Sequence, residues 1–171
     1  MAVREKLKVR PLAAPERITI TVGVHGDDGA EAHVAGASFA ADGAFESSQA
    51  LTVADVGRFH EFGVSPFQMP SGAVHPGIPQ RSFVRGWFDE SQDFIRETMR
   101  SQMQLVIAGK LTTEKAMARI ALAYEGSIKQ RISRGIPPPL AASTIKAKGS
   151  SKQLIHRGQL RAAVRGKGSI G

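Results

Sequence analysis

Four short stretches of this 171-residue chain carry side chains able to do chemistry. His60-Glu61 invites a metal reading, but a zinc pair needs a second His one helical turn later, so that two imidazoles share a face. Position 64 is Val, and His25, His33, His75 and His156 stand elsewhere without ligand spacing. Asp27-Asp28 and Asp89-Glu90 are adjacent carboxylates. Neighbours on a helix diverge by about 100°, so Asp89 and Glu90 do not converge for general acid–base work. They suit a helix start, where acids meet the positive end of the dipole, and Asp27-Asp28 reads as a turn. Gly149-Ser150-Ser151-Lys152 has the composition of a phosphate loop. It lacks the G-x-x-x-x-G-K-[ST] spacing and a preceding strand, and reads as a basic loop. There is no G-x-S-x-G elbow and no Cys, which removes disulfides and thiolate-ligated metals. The inventory points to a non-enzymatic protein with no metal and no cofactor.

Charge is the stronger signal. Residues 1–125 hold 13 Lys/Arg against 15 Asp/Glu, and residues 126–171 hold 10 Lys/Arg and no acid. Such a segment repels itself and seeks an acidic protein surface or nucleic acid phosphates. Its candidate contact residues are Lys146, Lys148, Lys152, Arg157, Arg161, Arg165 and Lys167. No aromatic residue interleaves them, which argues against stacking on single strands. No base-reading helix pattern is visible, so any DNA contact is expected to be non-specific and steeply salt-dependent.

The elements follow from periodicity. Arg4, Lys6, Lys8 and Arg10 alternate with Glu5, Leu7 and Val9, as in a strand or an extended arm with one basic face. No apolar stretch follows Met1–Arg10, so it does not read as a signal peptide. No apolar run reaches the roughly 18 residues of a membrane span. Arg17–Val24 is β-branched throughout and stops at a Gly-Asp-Asp-Gly turn. Ala32–Phe45 is either a second strand or an ordered loop. Leu51–Phe62 reads as a helix capped by Thr52, with Asp55 closing a capping box and Gly63 ending it. Val64–Gln80 reads as an irregular loop. Arg81–Gly109 reads as one long helix. A second helix, capped by Thr112 or Thr113, runs to Arg134 and stops at Gly135 and Pro137. The two form a helical hairpin. Leu160–Ile170 is expected to supply a last strand, beside Arg17–Val24. The fold class expected is α+β: a small antiparallel sheet packed against a long helix and a helical hairpin, with extended loops and arms. Residues 1–16 form a basic N-terminal arm, and 17–171 a single domain with a basic C-terminal third. Trp87 and Phe94 are expected buried where the long helix meets the sheet, Phe94→Ala costing about 3–5 kcal/mol.

Two stretches carry a resemblance. The first has Val53-Ala54, Glu61-Phe62-Gly63, Ile78-Pro79, Arg81, Phe83 and Arg85. The second, Arg131–Val164, has a proline turn at Pro137–Pro139, then Leu140-Ala141-Ala142-Ser143-Thr144-Ile145-Lys146-Ala147-Lys148, then Leu154-Ile155-His156-Arg157-Gly158-Gln159-Leu160. Together they cover about half of the chain and resemble phage virion-morphogenesis proteins, the neck and tail-completion proteins of Mu-like and related tailed phages. Ser82 stands where that pattern usually has Pro. The resemblance implies a structural protein at the head–tail junction of the virion, made in the bacterial cytoplasm. It would act as one protomer of a homo-oligomeric ring, usually a hexamer, around the DNA channel. Its partners would be neighbouring connector and tail proteins and, non-specifically, the DNA. A tail terminator or a head-side adaptor is the alternative station, and a non-specific DNA-binding module the alternative of another class. A ring protomer needs heterologous interfaces, a role open to the long loop and to Phe67, Met69 and Val74. Glu61 is the expected partner of Arg81 or Arg85.

Overall fold

The structure, a computed structural model, describes residues 17–30, 51–69, 72–155 and 157–170. The readings made for Arg4–Arg10 and Ala32–Phe45 lie outside the described residues. In chain order the elements are β1 (Ile18–Val24), α1 (Val53–Phe62), β2 (Phe67–Gln68), β3 (Val74–His75), α2 (Arg85–Glu90), α3 (Gln92–Ile107), α4 (Thr113–Arg134), α5 (Ala142–Lys148), α6 (Gln159–Ala163) and β4 (Val164–Ile170). The fold is a small α+β arrangement, with two antiparallel sheets of two strands each.

β1 and β4 pair antiparallel, in a register running from Ile18 opposite Ile170 to Val24 opposite Val164. A two-stranded ribbon is marginal alone in water and needs a surface to lie on. That surface is α4. Its Ala116, Met117, Ile120, Ala121, Tyr124, Ile128 and Ile132 recur at helical spacing and are all buried. The strand can approach because β4 is Val-Arg-Gly-Lys-Gly-Ser-Ile. A Cβ at Gly166 would run into the Ala121 carbonyl, and one at Gly168 would stand 3.0 Å from the Met117 Cβ. Glycine is required here by space.

The core joins this ribbon to the helices. Val53, Phe83, Trp87, Ile120, Tyr124, Ile128, Ile132, Ile136, Leu154, Leu160, Ala163 and Val164 form one cluster. α1 enters it through Val53 and Gly57, and Leu160 reaches in where a residue larger than Gly57 would crowd it. The Thr52–Asp55 capping box is present in both directions. Gly63, at φ 76°, turns the chain out of α1 as expected.

Three expectations are corrected. The long helix Arg81–Gly109 is two helices. Regular structure starts at Arg85, and Ser91 (φ −109°, ψ 21°) bends the chain between α2 and α3. The hydrogen bonds Ser91 N to Trp87 O and Ile95 N to Ser91 O, both 2.9 Å, carry across the bend. The bend allows two separate anchors on α4: Trp87 Nε1 donates to Ser127 Oγ at 2.8 Å, and Tyr124 Oη donates to Ile95 O at 3.0 Å. Trp87 is buried as expected, in the cluster that also holds Val164 of β4, with its ring centroid 5.4 Å from that of Tyr124 on α4. Phe94 is 42% exposed and touches Tyr124 only edge-on, at 6.1 Å. With Ile95 and Val106 facing α4, Phe94 falls on the flank of α3. The loop Val64–Gln80, read as irregular, pairs with itself. Val64 and Ile78 exchange two 2.8 Å backbone hydrogen bonds, and β2 and β3 form a short hairpin with Phe67 stacked on His75.

These placements predict unequal losses in denaturant unfolding. Trp87→Ala is expected to cost about 3–5 kcal/mol, and Phe94→Ala less than about 1 kcal/mol.

Candidate functional site

Glu61 and Arg81 hold the two halves of the molecule together, though not by pairing with each other. Glu61, in the last turn of α1, points its carboxylate at the start of α2. Oε2 accepts from the backbone N–H of Phe83 at 2.8 Å and of Val84 at 3.0 Å. Oε1 accepts from the Arg85 N–H at 2.9 Å and the Ser82 hydroxyl at 2.6 Å. The opening N–H groups of a helix have no partner within it. The N-cap residue here, Val84, has no side-chain acceptor. A carboxylate from another helix serves instead, favoured by the dipole. Ser82 completes the cap by accepting from the Gly86 N–H at 2.9 Å.

Arg81 is only 3% exposed. Its Nε donates to Pro138 O at 2.9 Å and its Nη2 to Pro139 O at 3.1 Å. The expected Glu61–arginine pairing is therefore corrected: backbone amides take the carboxylate, and backbone carbonyls take the buried guanidinium. Proline lacks an N–H but keeps a full acceptor, and the planar guanidinium fork can hold two neighbouring carbonyls at once. Burial pushes the Arg81 guanidinium below the ordinary arginine range. Arg85 lies exposed at the start of α2, where its backbone N–H, rather than its guanidinium, meets Glu61.

The seven candidate cations of the C-terminal third separate into two groups. Arg165 and Lys167 project from β4 toward acids of this chain. Lys167 Nζ lies 2.6 Å from Asp27 and 3.1 Å from Asp28, and Arg165 lies 3.5 Å from Glu125 and 4.0 Å from Asp28. The expectation that these two face outside partners is corrected. The β1–β4 pairing carries the Asp27-Asp28 turn to the start of β4, where the acid-free segment meets acids from far back in the chain. The Lys167 bonds hold the Asp27 carboxyl below its usual range, and raise Lys167 in turn. Lys146, Lys152, Arg157 and Arg161 are exposed, and no ion pair forms to them among the described residues. Arg161 Nε makes a long 3.4 Å contact with Lys129 O. Lys148, at the end of α5, is half-buried and donates from Nζ to Lys152 O at 2.5 Å.

Glu125, on α4, was not singled out by its sequence. It is mostly buried and accepts from Lys129 at 2.5 Å and from the Gly166 N–H at 3.0 Å. Burial raises its carboxyl. The Lys129 and Gly166 hydrogen bonds and the charges of Lys129 and Arg165 together outweigh that and leave it low. It guards the free edge of β4 with a charge, an arrangement that only the strand placement reveals. Among the described residues no group of three or more His, Cys, Asp or Glu gathers as a metal site requires. No helix there is long and apolar enough to cross a membrane.

No known protein family, curated protein or solved structure matches this chain.

Two variants test this geometry. Glu61→Gln offers one acceptor where four donors converge and is expected to cost about 2–4 kcal/mol in equilibrium unfolding. For Glu125 the folded pKa lies below the unfolded one. Its contribution is full above the usual glutamate range, near 4.3, and is lost as pH falls through the folded value. The stability gap between the protein and Glu125→Gln is expected to be about 1–3 kcal/mol at pH 7 and to close below about pH 4.

Proposed function

We propose that this chain is a structural protomer of the phage head–tail junction, assembling as a ring of six around the DNA channel. The observation that carries the reading is the Arg81 contact with Pro138 and Pro139. The two stretches that resemble neck and tail-completion proteins lie more than 45 residues apart in the chain. Arg81 belongs to the first and the proline turn to the second, so the residues of the resemblance form one joined unit. The exterior is consistent with assembly. Phe62, Val74 and Ile107, on three different elements, are each about 70% exposed, which leaves them open to contacts with neighbours, although apolar side chains scattered singly are also ordinary on a surface. The exposed cations Lys146, Lys152, Arg157 and Arg161 would then meet acidic neighbours or the channel DNA. A tail terminator or a head-side adaptor would use the same features at another station.

The second reading, a non-specific DNA-binding module, is favoured by that same acid-free surface. Purified virions and the purified protein separate the two. The structural reading expects the chain in purified particles at a fixed copy number, and rings with a central opening in negative-stain images of the protein or of its co-assembly with neighbouring junction proteins. Absence from particles, despite abundance in the producing cell, would sink it. On duplex DNA the structural reading expects only weak binding, lost between about 50 and 200 mM salt, a range over which about four phosphate contacts weaken roughly 10²-fold. Tight binding that persists at the higher salt would favour the module.

A further inference from the structure

We propose that the outer edge of β4, with the groove beside it, takes up an extended segment of a partner protein as an added strand. That segment carries an apolar side chain with Lys or Arg two positions away on each side. Among the described residues β4 has one strand partner, β1. The Gly166 N–H turns away from β1 and donates to Glu125 Oε2 at 3.0 Å. In an antiparallel ladder the backbone groups of alternate residues point the same way, so Gly168 and Ile170 also turn their N–H and C=O groups outward. Glu125 covers the edge at Gly166 and stops there, and both later residues are exposed. The edge and the flank of α4 bound a groove of about 560 Å³, whose walls include Ala118, Leu122, Gly168 and Ile170. Leu122 is 68% exposed and Ile170 41%. Strand addition uses these two things together: the main chain bonds to the open edge, and alternate side chains enter the groove.

Shape and charge select the occupant. α4 lies directly beneath β4, close enough that a Cβ at Gly166 would meet the Ala121 carbonyl. A second copy pairing through its own β4 would bring its α4 within one strand spacing of this one, about 5 Å. Packed helices need about 8–10 Å between axes. The edge therefore takes a strand with no helix beneath it. Glu114 and Glu125 line the groove, and no Lys or Arg does. Glu114 is exposed, and none of the ion pairs among the described residues reaches it. The two acids stand at opposite ends of the groove, separated along α4 by about 16 Å. Strand residues four positions apart on one face span about 13 Å. Two basic side chains at that spacing reach the acids, while the apolar residue between them packs on Ala118 and Leu122.

The surface is tested on the full chain by amide hydrogen exchange and NMR shift mapping with three capped peptides. These are Lys-Thr-Leu-Thr-Lys, the same peptide N-methylated at its leucine, and Glu-Thr-Leu-Thr-Glu. The Gly168 and Ile170 amides should exchange freely in the protein alone and slow when the basic peptide binds, with shifts centred on the groove. The N-methylated and acidic peptides should bind more weakly. Leu122→Lys, at an exposed position that leaves folding unchanged, should weaken the basic peptide by about tenfold. Glu114→Gln should weaken it by about two- to fivefold. Equal binding of the N-methylated peptide would mean that the groove holds an apolar group without strand pairing, and overturns strand addition. Amides of Gly168 and Ile170 already protected in the protein alone would mean that this chain or a second copy fills the edge, and overturn the partner. No binding of the basic peptide, or equal binding by Leu122→Lys, overturns the surface. Ring formation is read separately from peptide binding, so either can fail without the other.

Discussion

Everything downstream of α1 depends on the Glu61 carboxylate meeting four donors at the start of α2. Helix α2 has only six residues, too few to sustain itself, because nucleating a helix costs more than its first hydrogen bonds return. With Glu61 as its cap, α2 starts at a fixed place and angle. Phe83 and Trp87 are then delivered into the core, and Trp87 meets Ser127 of α4. The neighbouring Arg81 is fixed by the same geometry, with its backbone N–H on His60 O at 2.7 Å and its guanidinium on the proline turn. One acidic side chain at the end of one helix thus sets the start of the next and, through Arg81, the path of the chain after α4.

The electrostatics follow a second rule, that the fold separates neutralised cations from unneutralised ones. By sequence, all the cations after residue 126 look equivalent. In the structure Lys129 and Arg165 share Glu125, Arg131 is held by both oxygens of Glu90, and Lys167 is held by Asp27 and Asp28. Among the described residues after 126, the cations without an ion pair are Arg134 at the end of α4 and those on α5, on α6 and in the segment between them. The positive surface is therefore smaller than composition suggests, and it is placed next to the proline turn that Arg81 organises.

Local signals in the sequence were read correctly where neighbours in the chain decide the outcome. The Thr52–Asp55 box, the Thr112 cap of α4, the stops at Gly63 and Gly135 and the strand Arg17–Val24 all rest on side chains within a few residues of the element they control. The apolar stripe of α4 and the pairing of β1 with the last strand were also legible. The failures share a different cause. The bend at Ser91 exists because Trp87 and Ile95 must each meet α4, which periodicity within 81–109 does not express. Phe94 fits an apolar pattern but lies beyond the arc that α4 covers. Glu61 was singled out, yet its partners are amides, and backbone groups leave no mark in a sequence pattern. Glu125, Asp27 and Asp28 gain their roles from a strand supplied some 140 residues away from the turn.

That last separation has a kinetic consequence. The helical parts can form from contacts close in the chain, but the β1–β4 ribbon closes a loop of about 140 residues. The entropy of joining such distant ends is on the order of 4 kcal/mol from length alone, and long-range pairing of this kind slows folding. The ribbon should close late, after α4 has formed the surface it lies on. Until then β1 carries Ile18, Ile20, Val22 and Val24 with an unpaired edge, and a chain caught at that stage is open to pairing with the wrong strand.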